Sequence, residues 1–323
     1  TSSVSAVATG GQVMQTATVI VTGLTMGVTV LIGQAIGSNN RKLAGEVVAG
    51  QIKLFTIVAI ALTVAMVAFA EKAAVIMNVP SAALDDAVEY IRICSSGMVF
   101  ITAYNAISGV FRGLGNSRSP FIFVSIACVI NIIGDLILVG VFDMGAAGAA
   151  AATVLAQACS VVFSLFYMRR ISLPFSVGRG DFKVQGPVRD ILKIGSPIAL
   201  QDFLVGISFL IITSVINALG VTASASVGIA EKLYAFLSIV PMSFMSALSA
   251  FVAQNIGAKQ PERAVKSLFI AQRISFCFGV IMFIMTFFFG DFLSSIFTSD
   301  PDVIRSTAEY LRGCSFEYLM IPI

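Results

Sequence analysis

Four carboxylic acids interrupt stretches of this chain that are otherwise apolar: Asp135, Asp202, Glu231 and Glu317. At the centre of a membrane-spanning helix an ionisable group costs at least about 2.5 kcal/mol, so each is a candidate for function. Asp135 has the richest surroundings. It ends the run Asn131-Ile132-Ile133-Gly134-Asp135, which puts Asn131 one helical turn away on the same face. Counted back from Asp143, Asp135 is eight residues in, about 12 Å at 1.5 Å per residue. Counted forward from Gly145, Thr153 is also eight residues in, which predicts the same depth on the next helix. Small residues from Ala146 to Ala152 let those two helices approach closely. Asn131, Asp135 and Thr153 then form an all-oxygen cluster suited to a proton or a hard cation such as Na⁺. The plainer alternative is a protonated acid capped by Asn131 and Thr153, with no transport role.

The other acids form a second group. Glu231 is followed by Lys232, but adjacent residues point about 100° apart on a helix, so Lys232 neutralises Glu231 only in part. Lys232 has Glu317 and Asp202 as alternative partners across helices. Two readings stay open: a drug or cation site made of Glu231, Lys232, Glu317 and Asp202, or an internal salt-bridge network. Phe209, Tyr234, Phe236, Phe244 and Tyr104 are candidates to line a cavity, or are packed and lipid-facing.

Several chemistries lack their residues. The chain has no histidine, so proton transfer falls to carboxylates and a zinc-type site is not expected. Its five cysteines show neither disulfide nor metal spacing and read as small packing residues. Arg112-Gly113-Leu114-Gly115-Asn116 resembles a phosphate loop only superficially: the following Lys-Ser/Thr is missing and no strand precedes it. A tight turn is expected there, and an ion gradient rather than ATP as the energy source. With no nucleophile motif or metal-ligand pattern, an intramembrane enzyme is not expected. A structural scaffold would need no acids in mid-helix.

The elements that position these residues are membrane helices. Hydrophobic residues make up 57% of the chain and charged residues 11%, with mean hydropathy +0.95; soluble domains carry about 25% charged residues. Hydrophobic runs long enough to cross a bilayer predict helices over roughly 5–36, 50–78, 86–111, 119–142, 147–169, 189–219, 224–256, 267–297 and 306 onward. Pro197, Pro241 and Pro322 fall inside these spans as expected bends. Fifteen of the twenty basic residues sit at alternate connections, including Arg41 and Lys42, Arg112 and Arg118, Arg169 to Lys193, and Lys259 to Arg273. The intervening connections are acidic or neutral, which places the basic set in the cytoplasm. The net charge of +3 gives no reason to expect nucleic acid.

The chain also repeats itself. Gly33-Gln34-Ala35-Ile36-Gly37 with Ala44 returns as Ala253-Gln254-Asn255-Ile256-Gly257 with Ala264. Glu89-Tyr90-Ile91-Arg92 with Cys94 returns as Glu309-Tyr310-Leu311-Arg312 with Cys314, at the same offset of 220 residues. A long apolar duplication points to two pseudo-symmetric halves about a central site. Under this offset Glu231 meets Gly11, Lys232 meets Gln12, Glu317 meets Gly97 and Pro241 meets Val21, so these features belong to one half only.

The repeated Gly/Ala-Gln-x-x-Gly element, the Arg112-Gly113-Leu114-Gly115-Asn116 turn with Pro120, and Asn131-x-x-x-Asp135 resemble the multidrug and toxic compound extrusion (MATE) transporters, most closely their DinF-like prokaryotic branch. The resemblance implies an all-α polytopic membrane protein of two six-helix lobes and export of bulky, often cationic, compounds by alternating access in exchange for H⁺ or Na⁺. It implies that Asn131, Asp135 and Thr153 match the family's N-lobe cation site. It implies a multi-pass protein of the prokaryotic cytoplasmic membrane, expected to be monomeric, and needing no cofactor beyond the coupling ion. On this plan 1–170 is an N-lobe holding helices two to six, 171–188 a cytoplasmic linker and expected hinge, and 189–323 a C-lobe with helices seven to nine and part of ten. The chain is then expected to be a fragment, incomplete at both ends and not transporting by itself. The runner-up is a lipid-linked oligosaccharide flippase of the same superfamily, for which more basic residues inside the lobes and no Asn-x-x-x-Asp cluster are expected.

Overall fold

The apolar runs become helices that begin and end where capping chemistry allows. The computed structural model describes residues 2–77, 79, 81–218 and 221–320, and among them no strand occurs. Helix α1 spans Ser2–Gly37 and α2 spans Arg41–Ile76, with the Asn40 side chain accepting from the Leu43 N–H at 3.0 Å to cap α2. Helices α3 (Leu84–Ser96) and α4 (Met98–Gly113) follow, then α5 (Arg118–Asp135), a π-helical continuation over Leu136–Val141, and α6 (Gly145–Arg170). Next come α7 (Gly186–Ala218), α8 (Val221–Leu237), α9 (Ile239–Gly257) and α10 (Pro261–Phe288). Short α11 (Gly290–Ser295), α12 (Pro301–Cys314) and α13 (Glu317–Met320) complete the described chain. Asp300 caps α12 through the N–H groups of Asp302 and Val303, with Pro301 in the first turn.

Among the described residues seven helical stretches are long and apolar enough to cross a membrane, or eight if α3 and α4, bent by 47°, count as one span. The sequence-based spans need three refinements. The span expected over 86–111 breaks at Gly97, where an added Cβ would come within 2.6 Å of the Val154 side chain, so α6 presses on the backbone there. The span expected over 224–256 breaks between Leu237 and Ile239. Pro241 explains the break: it lacks a backbone donor and so falls in the first turn of α9, where none is needed. Its repeat counterpart in α1 is Val21, and α1 runs unbroken. The span over 267–297 ends at Phe288, because Gly290 turns onto Ala308 of α12. Pro197 is accommodated inside α7, and Pro322 lies outside the described residues.

The chain divides into two compact units, Thr1–Phe203 with Gly257–Lys259, and Leu204–Ile256 with Gln260–Ile323. In the first, one core packs Met14 and Ala17 of α1 against Tyr90, Ile91 and Met98 of α3 and α4 and Ala146 and Ala150 of α6. A second core joins Val28 and Ile32 of α1, Val47 and Phe55 of α2, Val110 of α4 and Ile191 of α7. Helices α1 and α7 meet through small residues. A Cβ on Gly23 would lie 2.5 Å from the Ala199 backbone, and one on Gly195 would lie 2.7 Å from Leu24 Cα. This small-x-x-x-small crossing permits main chains to touch.

The segment 171–188 is not loose. Phe175 is buried in the second core, and Lys53 of α2 donates to the carbonyls of Phe182 at 2.7 Å and Val184 at 3.0 Å. The Asp181 carboxylate accepts from the Gly178 N–H. The expected hinge is therefore fastened to the first unit, and the boundary between the compact units falls further along, inside α7 at Phe203.

In the second unit, Ala230 and Leu233 of α8 pack with Leu293 of α11 and Leu311 of α12. Two hydroxyls lock α8 to α12: Thr307 donates to the Ser226 carbonyl and Ser226 to the Val303 carbonyl, each at 3.3 Å.

Candidate functional site

The first candidate site is built where α5 gives way to its π-helical continuation. Asp135 is the last residue of α5, and the π-turn begins at Leu136. Such turns re-aim the residues beside them and recur at functional positions. The chain then reverses through Asp143 and Gly145, both with positive φ (52° and 54°), into α6. Helices α5 and α6 close tightly at this level: a Cβ on Gly134 would sit 2.9 Å from Ala152 Cβ. The small residues from Ala146 to Ala152 permit this approach, as the sequence predicts.

Closure brings two of the predicted side chains, Asn131 and Thr153, into contact. Asn131 Nδ2 donates to Thr153 Oγ1 at 3.3 Å, and Thr153 in turn donates to the Ala149 carbonyl at 3.0 Å. Asp135 Oδ1 is buried and accepts no hydrogen bond. The capped-acid alternative expected Asn131 and Thr153 to satisfy this carboxyl; instead they bond each other and leave Oδ1 open. A fourth residue joins them. Tyr90 of α3 lies close enough to interact with both Thr153 and Asp135. Sequence reasoning missed it as a site residue, although its repeat counterpart Tyr310 was in view.

The second unit builds a different site from matching parts. Tyr310 and Cys314 stand on α12 as Tyr90 and Cys94 stand on α3. Helix α12 ends at Cys314, two residues short of the counterpart of Ser96 that ends α3, and Glu317, at the repeat position of Gly97, opens α13. Tyr234 of α8 donates to Glu317 Oε1 at 3.4 Å. Tyr318 stacks near Tyr234 with ring centroids 6.2 Å apart, and Phe209 approaches Tyr234 at 6.2 Å. Tyr310 is near enough to interact with both Glu231 and Glu317. The result is a carboxylate hydrogen-bonded by one tyrosine, with Tyr310 and Glu231 within electrostatic reach.

Two of the predicted members are exposed. Lys232 is exposed, and among the described residues the ion pairs are Lys42–Glu46, Arg305–Glu309 and Arg312–Asp291. Asp202 is exposed on α7, in the first compact unit, whereas Glu231 and Glu317 belong to the second. Of the expected aromatics, Phe236 is 71% exposed, and Tyr104 donates to the Pro120 carbonyl beside the Phe111–Phe123 pair. Arg112 to Asn116 forms the expected tight turn: Gly115 has φ +80°, and Asn116 bonds Ser119 through both its amide nitrogen and its oxygen.

Comparison with known proteins adds a frame to this geometry. The sequence is 28% identical over 319 residues to the probable multidrug resistance protein YpnP of Bacillus subtilis (strain 168), covering 98% of this chain and 71% of that relative. It is 26% identical to an FAD transporter of Shewanella oneidensis, covering 94% and 68% of the two chains. It is also 26% identical to the probable multidrug resistance protein NorM of Thermotoga maritima, covering 93% of this chain and 66% of that one. The fold superposes on a MATE transporter crystallised in its bent conformation with TM-score 0.91 at 21% identity, over 99% of this chain and 72% of that one. The MatE family profile matches residues 1–137 and 197–323, taking in both compact units, the Asn131–Asp135 run and Glu317. A bundle of membrane helices with this repeat, this fold and this match over most of its length belongs to the MATE family of transporters.

Proposed function

We propose that the protein is a secondary active exporter of organic compounds, driven by H⁺ or Na⁺ moving the opposite way, with Asp135 as the coupling residue. The observation that supports this most directly is a buried carboxylate oxygen with no hydrogen-bond partner, on a membrane-spanning helix that carries Asn131 one turn away, itself hydrogen-bonded to Thr153. Left charged and unpaired, such an oxygen is costly in a bilayer. A proton or a small cation removes that cost, so Asp135 is stable loaded, or empty only where water reaches it. Alternation between those two conditions is what an antiporter needs, because a ligand shifts an equilibrium only by binding two states unequally.

Glu317, which accepts from Tyr234, supplies with Glu231 the organic-compound side of the exchange. Aromatic faces and carboxylates together favour a cation, through cation–π attraction and charge. Lys232, exposed on α8, contributes at its margin. The relatives' names include both drug resistance and FAD transport; the acid-and-tyrosine chemistry favours a cationic compound over an anionic one. The proposed setting is the prokaryotic cytoplasmic membrane with the basic connections inside.

The test is drug efflux by the intact protein carrying Asp135→Asn. Loss of gradient-driven efflux, with the protein still present in the membrane at normal amount, is the expected result. Undiminished efflux would remove the coupling role.

A further inference from the structure

One face of α10 has a repeat-related counterpart on α2, and the two are built differently. At the 220-residue offset Gly45, Ala49, Gly50 and Lys53 of α2 meet Val265, Phe269, Ile270 and Arg273 of α10. On α2 the small residues let a peptide backbone lie against the helix. A Cβ on Gly45 would run into the Ser176 carbonyl, and one on Gly50 would lie 3.1 Å from Pro187 Cβ. Lys53 is engaged by the carbonyls of Phe182 and Val184, and Lys42 pairs with Glu46.

The α10 face keeps the cation and loses the room. Val265, Phe269 and Ile270 are about half exposed, and they would hold a backbone away at the positions where Gly45, Ala49 and Gly50 admit one. With Lys266 and Arg273 they wall an open groove of about 700 Å³. Lys266 and Arg273 are seven residues apart, about two turns along one face. Both are exposed, and among the described residues neither enters an ion pair. Glu262 lies one turn beyond Lys266, at the far end of the groove.

Depth selects the ligand. Helix α10 is a candidate membrane span, and between Arg273 and Asp291 it carries no charged residue, a run of about 25 Å at 1.5 Å per residue. The hydrocarbon layer is about 30 Å thick, so Arg273 stands just inside its edge with its guanidinium reaching outward. Lys266, about 10 Å further along, stands in the headgroup layer. The two cationic groups thus converge on the level of the lipid phosphates, with Phe269 and Ile270 between them against the glycerol and upper acyl region. Free inorganic phosphate would leave those apolar side chains in water. A zwitterionic headgroup would bring an ammonium of its own to two cations.

We propose that this face of α10 binds the headgroup of an anionic phospholipid, with Arg273 donating paired N–H groups to the phosphate and Lys266 adding a second positive charge. The site draws on neither Asp135 nor Glu317.

The test uses the intact protein in phosphatidylcholine nanodiscs doped with one of two photoactivated lipids of the same acyl chains, a phosphatidylglycerol or a phosphatidylcholine, each carrying a diazirine close to the glycerol. The phosphatidylglycerol is expected to label the 262–273 segment about tenfold more than the phosphatidylcholine, as two basic side chains near the surface allow. Lys266→Gln combined with Arg273→Gln is expected to bring the two lipids level. If that protein is not monodisperse, Arg273→Gln alone is measured, with the preference expected to fall about threefold. Equal labelling of the unmodified protein by both lipids would mean ordinary lipid contact and overturn the proposal. So would labelling by neither, which would mean that polypeptide covers this face, and so would an undiminished preference in the variants. No gradient and no exported compound is present, so failure here leaves Asp135 untouched, and failure of Asp135→Asn to impair efflux leaves this face untouched.

Discussion

Asp135 acquires its chemistry from what its neighbours decline to do. Asn131 and Thr153 hydrogen-bond each other and leave the carboxylate's Oδ1 unmet. Removing the Thr153 hydroxyl therefore disturbs the site less than removing the acid. Thr153→Val is expected to weaken ion-coupled efflux several-fold, whereas Asp135→Asn abolishes it; dose–response curves for a single exported dye separate the two. Tyr90→Phe tests the member that the sequence left out. It keeps the ring in the α1–α3–α6 core and removes only the hydroxyl, which is within electrostatic reach of Thr153 and Asp135. Expected is a reduced apparent affinity for the coupling ion, read from the ion-concentration dependence of efflux, with protein amount unchanged. In the other unit, Tyr234 is the only described hydrogen-bond donor to Glu317. Paired substitution Glu231→Gln with Glu317→Gln is expected to lower resistance to cationic compounds more than to neutral ones, which minimum inhibitory concentrations report.

Helices show where sequence was legible and where it was not. The depth count that set Asp135 and Thr153 level needed only two numbers and a short turn, and the closed α5–α6 pair brings Asn131 and Thr153 together. The π-turn after Asp135 left no mark in the residue pattern, since Leu136 to Val141 is as apolar as any helix interior. The break at Gly97 was equally hidden, because its cause is Val154, distant in sequence. Pro241 was visible, and its lack of a counterpart in α1 pointed correctly to a feature of one half. The contacts of the segment 171–188 were not legible: glycines, prolines and charges read as a hinge, while the residue that fastens it in this structure, Lys53, lies far upstream on α2. Lys53→Met is expected to free the segment, and limited trypsin digestion should then cut at Arg179 and Lys183 several-fold faster. Gly195→Leu drives a side chain into the α1 backbone; overpacking of this kind costs about 1–3 kcal/mol, so a lower thermal unfolding temperature is expected.

For the whole molecule, charge and repetition carry the argument. The basic connections alternate with acidic ones along the chain, which predicts opposite sides of the membrane for Ser38, in a basic connection, and Ser299, in an acidic one. Single cysteines placed there in a cysteine-free background should react with an impermeant thiol reagent only from the cytoplasmic and only from the outer side respectively. The repeat gives each half a tyrosine and a cysteine at matched places and then differentiates them. One half adds Asp135 next to Tyr90, and the other adds Glu231 and Glu317 next to Tyr310. That asymmetry suits a transporter in which one half holds the ion and the other the cargo. The measurement that bears on it most directly is ion release from the purified intact protein on addition of a cationic substrate, followed with a pH or Na⁺ electrode. One ion released per substrate bound, absent in Asp135→Asn, is the predicted result; the same release from Asp135→Asn would contradict the account.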